Sequence, residues 1–212
     1  MKKHIFPLSI IIINLLVWVF AYPHMSDQVP IHWSSSGEVD RYASKMEAML
    51  TAMGLIIVVY ALMAVTPKID PRKKNYRLFS KTYDILVNAM MVIFSLINLL
   101  MVLSGLGYDL PTRSIAPVLV GALLIVIGNY LPRVRPNFFM GIKNPWTLSS
   151  DEIWKKTHRF GAKVFTVAGI FIIADGLFAI GPSVILPIIL ITVFAPYVYS
   201  YMLFRKENGM NR

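Results

Sequence analysis

Six apolar runs dominate this chain, and they leave it very few ways to fold. Ile5–Ala21, Ala48–Val65, Ile85–Leu106, Ile115–Leu131, Val164–Ile180 and Val184–Phe204 are each long enough, or nearly so, to cross a hydrocarbon layer as a helix. Between them lie polar connections, the longest of them before the fifth run. In lipid every backbone N–H and C=O must be satisfied within its own segment, so runs of this kind fold as helices or not at all. Composition agrees: of 212 residues, 56% are hydrophobic, only 15% are charged, and the mean hydropathy is +0.61. Soluble domains carry about 25% charged residues. The expected class is an all-α integral membrane protein with six transmembrane helices.

The first run follows Lys2, Lys3 and His4 and ends in Phe20-Ala21-Tyr22-Pro23. A cleaved signal peptide would be shorter and end in small residues, so an uncleaved first span is expected. The connection Gly181-Pro182-Ser183 is too short for anything but a tight antiparallel hairpin between spans five and six.

Charge fixes the orientation. The N-terminus, the loop Lys68–Lys81, the long interval before span five and the tail with Arg205, Lys206 and Arg212 hold 18 of the 21 Lys and Arg residues. The other three are Arg41, Lys45 and Arg113. By the positive-inside rule both termini are cytoplasmic and the loop from Pro23 to Glu47 faces outward. The net charge of +10 therefore needs no nucleic acid to explain it, because orientation and anionic lipid headgroups account for it.

The outer loop carries Asp27, Glu38, Asp40 and Glu47. Pro30 and the Ser34–Gly37 run exclude a long helix, and Val29–Trp33 reads as a short extended segment. His24 and His32 share this loop with its acids, but their spacing matches no ligand motif. With no cysteine in the chain, neither a metal nor another cofactor is expected. No hydrolase, kinase or P-loop motif is present, and an enzyme is not expected.

The longest polar interval, Gly128–Lys163, holds Trp146 and Trp154. Asn144-Pro145 reads as a turn, because the residue before proline is pushed out of the helical region. Ser149 and Glu152 have capping-box spacing. The helix that follows places Ile153, Trp154, Thr157, Gly161 and Val164 on one face and Lys155, Lys156, Arg159 and Lys163 on the other. That pattern suits a helix lying on the membrane surface before the fifth span begins.

Among intramembrane polar residues, Asn14, Asn88, Asn98 and Asn129 read as helix-to-helix hydrogen-bond partners. Asp175 is the one carboxylate well inside an apolar run. It reads either as a functional group, as in a small transporter, or as a structural acid near the outer end that reaches water or an asparagine such as Asn98.

Gly128-Asn129, Asn137, the run Gly141-Ile142-Lys143-Asn144-Pro145-Trp146-Thr147-Leu148, Trp154 and His158-Arg159-Phe160-Gly161 together resemble the signature of the SdpI family of bacterial membrane proteins. The outer loop, with Val29-Pro30-Ile31-His32-Trp33, Gly37, Asp40 and Lys45, resembles the DUF1648 segment that precedes it in longer members. The two divide the chain into residues 1–67 and 68–212. Lys143 stands where the family usually has arginine and Asn144 where it often has threonine. A lysine does not reproduce an arginine fork onto two oxygens.

The resemblance implies immunity to a secreted peptide toxin of the SDP type. It also implies a receptor that draws a cytoplasmic repressor to the plasma membrane. On that reading His32, Trp33, Gly37, Asp40 and Arg41 form the toxin-side loop. Asn129, Asn137, Gly141, Lys143, Asn144, Pro145, Trp146, Trp154 and Arg159 form the cytoplasmic signature, with Asp175 an intramembrane polar group apart from both. The expected partners are membrane lipids, the toxin outside and the repressor inside. A membrane scaffold without a toxin role is the rival reading.

Overall fold

A computed structural model describes residues 2–34 and 36–209. Ser35 of the Ser34–Gly37 run and Arg212 of the basic tail lie outside the described residues. Among the described residues, six helices are long and apolar enough to span a membrane. They are α1 (Lys2–Ala21), α2 (Lys45–Ile69), α3 (Ser80–Gly105), α4 (Thr112–Tyr130), α6 (Asp151–Phe178) and α7 (Pro182–Glu207). A five-residue helix, α5 (Pro145–Ser149), precedes α6. Two strands, β1 (Gln28–Trp33) and β2 (Val39–Ser44), pair antiparallel in the outer loop. The protein is thus a multi-pass membrane protein, all-α but for one hairpin.

Two boundaries run past the expected ones. α2 continues beyond Pro67 to Ile69. Pro67 lacks the N–H that would bond back one turn, a cost confined to the last turn of the helix. α6 is one continuous helix that contains both the expected surface helix and the fifth span. Its amphipathic first half buries Ile153, Trp154, Thr157, His158 and Gly161 against the signature loop, while Lys155, Lys156, Arg159 and Lys163 stay exposed. Its apolar stripe therefore faces protein, and no separate helix lies on the membrane surface.

The chain forms two compact units, one of Met1–Ala64 with Val87–Ala116 and one of Val65–Leu86 with Pro117–Arg212. The first is tied by polar side chains inside an apolar core. Asn98 on α3 accepts from Trp18 Nε1 on α1 at 3.0 Å and donates to the Ala52 carbonyl on α2 at 3.3 Å. Asn14 donates to Ser95 Oγ at 2.7 Å. In hydrocarbon such bonds are worth roughly 0.6–2 kcal/mol each and fix which helix faces meet. Buried Val29 of the hairpin and Met25 just before it pack against Gly105, where a Cβ would strike Met25. Gly37 turns the hairpin at φ 86°, and its carbonyl accepts from Thr112 Oγ1 at 2.8 Å.

In the second unit α4 and α6 approach within glycine distance. A Cβ on Gly121 would sit 2.5 Å from the Gly169 carbonyl oxygen, and one on Gly169 would sit 2.6 Å from that of Gly121. Small residues permit this backbone contact, which dispersion then stabilises in lipid. Ala179 takes the left-handed conformation that ends α6, and α7 starts at Pro182. Large apolar side chains such as Ile12, Phe20, Ile191 and Phe194 are left exposed along the long helices. In water that would be an aggregation hazard; in a bilayer it is the solvated surface.

Candidate functional site

The signature loop is built from the inside by polar side chains bound to main chain. After α4 a 3₁₀ turn, Leu131–Arg133, leads into irregular backbone. Asn137 is fully buried at its centre. Its Oδ1 accepts from Phe139 N–H at 2.9 Å, Met140 N–H at 2.6 Å and Tyr76 O–H at 3.2 Å. Its Nδ2 donates to the Arg135 and Met140 carbonyls at 2.8 and 2.9 Å. An asparagine saturated in this way replaces the hydrogen bonds that a loop without regular structure cannot make for itself.

The loop from Lys68 to Lys81 is part of the same structure. Asp70 is 1% exposed, and its carboxylate accepts from Arg72 N–H at 2.6 Å, Phe138 N–H at 2.9 Å and Tyr76 O–H at 3.0 Å. Asn75 donates to the Pro136 carbonyl at 2.7 Å. Arg72 donates to the Leu148 carbonyl at 3.1 Å and lies 5.5 Å from the Phe138 ring centroid. Asp70 was not among the expected site residues. Its one signal is that it is the sole acid among the six bases of that loop.

On the other side of the loop, Gly141 has φ 115° and lies against the His158 ring, so that a Cβ there would collide with Nε2. His158 Nδ1 donates to the Trp154 carbonyl at 2.8 Å, while Nε2 accepts from Ile142 N–H at 3.1 Å. The two partners fix a neutral Nδ1–H tautomer. The ring stacks on Trp154 at 4.1 Å, and Trp154 Nε1 donates to the Val134 carbonyl at 2.9 Å. His158 stands in the signature run His158-Arg159-Phe160-Gly161, although it is not among the expected site residues.

The turn at Asn144 holds, with extended backbone at φ −153°. Its cap differs from the expected one. Asn144 Oδ1 accepts from Thr147 N–H at 2.9 Å and Thr147 Oγ1 accepts from Asn144 N–H at 3.0 Å, a capping box that starts α5 with Pro145 first. The spare amide donor of Asn144 reaches Ser200 Oγ on α7 at 2.8 Å. Ser150, not Ser149, caps α6, accepting from Ile153 N–H at 3.3 Å. Ser149 donates to the Trp146 carbonyl instead, and Glu152 pairs with Lys156.

Lys143 does reach two oxygens, the Phe139 carbonyl at 2.7 Å and the Phe138 carbonyl at 3.3 Å. The flexible ammonium finds by position what a fork would find by shape. Trp146 packs on Tyr201 of α7 at 5.0 Å. The structure therefore joins Asn137, Gly141, Lys143, Asn144, Pro145, Trp146 and Trp154. Asn129 and Arg159 are exposed.

In the outer hairpin His32 donates to Asp40 at 2.6 Å, with both side chains about half exposed. Arg41 faces His32 in the register and Trp33 faces Val39. Among the described residues no group of three or more His, Cys, Asp or Glu is placed to hold a metal.

Asp175 is held in the α6–α7 turn, where Oδ1 accepts from Gly181 N–H at 2.7 Å. Asn98 bonds elsewhere, to Trp18 and Ala52. Asp175→Asn keeps an acceptor at that position and is expected to leave thermal stability nearly unchanged. Asp175→Leu is expected to cost about 1 kcal/mol by orphaning the Gly181 amide. Thermal unfolding of both purified variants checks this, and equal losses would mean that the negative charge itself matters.

Asn137, Asp70 and His158 commit their hydrogen-bonding atoms to main chain and to Tyr76, so none is poised as a base or nucleophile. The cluster is the buried, hydrogen-bonded support of the loop.

Comparison with known proteins bears on what that loop serves. Residues 133–200 match the SdpI/YfhL protein family, and residues 9–63 match a domain of unknown function, DUF1648. The immunity protein SdpI of Bacillus subtilis (strain 168) is 28% identical over 212 residues, covering 99% of each chain. No solved structure matches. The match from residue 133 takes in the signature loop, all of α6 and α7 as far as Ser200, with the DUF1648 match ahead of it, and the chain is a multi-pass bacterial membrane protein similar to the SdpI/YfhL protein family over that part.

Proposed function

We propose that this protein confers immunity on a bacterium against a secreted peptide toxin of the SDP type. The observation that carries the reading is full-length similarity to an immunity protein, with the hairpin, the six helices and the signature loop all inside the aligned region. The hairpin around His32, Trp33, Gly37, Asp40 and Arg41 is the toxin-facing part, because the charge distribution turns that loop outward. The same distribution turns the signature loop inward. Its surface, with Trp146 and the exposed Lys155, Lys156 and Arg159, then serves as the output face that draws a cytoplasmic repressor to the membrane. No bond is made or broken in this role; the protein acts by binding.

Expression in toxin-sensitive cells tests the first half. Survival in the presence of the toxin is the expected result at confirmed membrane levels of the protein. Unchanged killing at the same levels overturns the immunity reading.

A further inference from the structure

The tip of the signature loop combines two properties that rarely go together. Phe138 and Phe139 are 42% and 40% exposed, side by side. Yet the backbone beneath them is wholly satisfied by protein. Phe138 N–H goes to Asp70, and the N–H groups of Phe139 and Met140 go to Asn137. The carbonyls of Phe138 and Phe139 accept from Lys143, and that of Met140 accepts from Asn137. An exposed loop ordinarily leaves such groups to water. Here none of the N–H or C=O groups from 138 to 140 needs it.

That is the requirement for entering an apolar phase, where an unpaired backbone group costs several kcal/mol. The surroundings identify the phase. Arg72 lies over the Phe138 ring, Arg133 lies over Tyr130, and Arg135 is exposed close by in the chain. Cations beside protruding aromatics match anionic headgroups over acyl chains. The loop is also tethered between two spans, α4 and α6, which hold it at the membrane boundary.

We propose that Phe138 and Phe139 insert into the anionic cytoplasmic leaflet as an interfacial anchor, with Asp70, Asn137 and Lys143 serving as the internal substitute for water. The signature loop is then fixed to the lipid surface at its tip, and its α5–α6 side is left for partners.

The chain has no cysteine, so a single cysteine is a clean reporter. The full-length Phe139→Cys protein, nitroxide-labelled and reconstituted in vesicles containing phosphatidylglycerol, reads depth by spin-label collision with oxygen and with a water-soluble nickel complex. Phe138→Cys is a second site should the first disturb the loop, and Lys156→Cys on the exposed face of α6 is the aqueous reference. The expected depth is about 5–10 Å below the phosphates at 138 and 139, with the label at 156 in water. In a Lys143→Met background the tip label is expected to move outward, because two carbonyls then seek water. Labels at 138 and 139 as open to the nickel complex as that at 156 would overturn the proposal and leave the phenylalanines as a protein-docking surface.

Discussion

Gly141→Ala is expected to collapse the signature loop, with a loss of about 3 kcal/mol or more. Two independent costs meet at this position. The backbone sits at φ 115°, where a side chain costs on the order of 1–3 kcal/mol. The added methyl also has nowhere to go, because His158 Nε2 occupies the space and Trp154 lies just behind it at 3.3 Å. Forcing a carbon into a packed site adds roughly 1–3 kcal/mol. The ring cannot simply move aside. Its stack on Trp154 and its bonds to the Trp154 carbonyl and the Ile142 amide hold it on both edges. Displacement breaks the Ile142 bond and leaves a buried N–H, a further ~1–3 kcal/mol.

Gly54→Ala supplies the contrast. Gly54 lies inside α2, has nothing within 4 Å of a built Cβ and no positive φ, so alanine there is expected to be neutral or mildly stabilising. Thermal unfolding in detergent and protease cleavage at Arg133 and Arg135 distinguish the two. Should Gly141→Ala unfold and cleave like Gly54→Ala, the account of the loop given by His158 is wrong.

The helices and the outline of this site could be read from the residues because both depend on local chemistry. An apolar run of sufficient length has no alternative to a helix in lipid, and the proline of Asn144-Pro145 biases the residue before it toward extended backbone. The helix start is an instructive miss. Ser149 and Glu152 have the right spacing, but the capping box Asn144–Thr147 opens α5 first and occupies residues 145–149, which moves the next cap to Ser150. The pattern Asn-Pro-x-Thr carries that information through an N-cap, a proline at the first helical position and a hydroxyl at the third.

The amphipathic stripe of α6 was legible as a stripe but not as to its partner, since lipid headgroups and a folded loop demand the same spacing. β2 gave no alternation to read. Its Asp40, Arg41 and Tyr42 are all exposed, as two successive bulges in the pairing with β1 displace the usual period. The polar network lies furthest from anything a single sequence discloses. Asp70 and Phe138 are 68 positions apart, and Tyr76 and Asn137 are 61 apart. Nothing in either segment alone says that a basic loop supplies the floor of the next polar interval.

That floor is where the second large effect is expected. Asn137→Ala removes one small side chain and with it five hydrogen bonds, two donated and three accepted. Alanine leaves the Phe139 and Met140 amides without an acceptor and the Arg135 and Met140 carbonyls without that donor. A buried group left unpaired costs about 1–3 kcal/mol, so even with water entering to serve some of them the loss should reach about 3 kcal/mol.

Tyr76→Phe is the informative comparison, because that hydroxyl only bridges Asp70 and Asn137. Both acceptors keep amide donors when it is removed, and the expected cost is about 1 kcal/mol. The order, Asn137→Ala well below Tyr76→Phe in thermal stability, separates a hub from a bridge. The Phe139 spin label adds an independent readout. With its N–H acceptor gone and the loop loosened, the tip in the Asn137→Ala protein is expected to lose its depth in anionic vesicles, whereas Tyr76→Phe should retain it. If the two substitutions proved equal in both measurements, Asn137 would be an incidental member of the network and not the residue that shapes the loop.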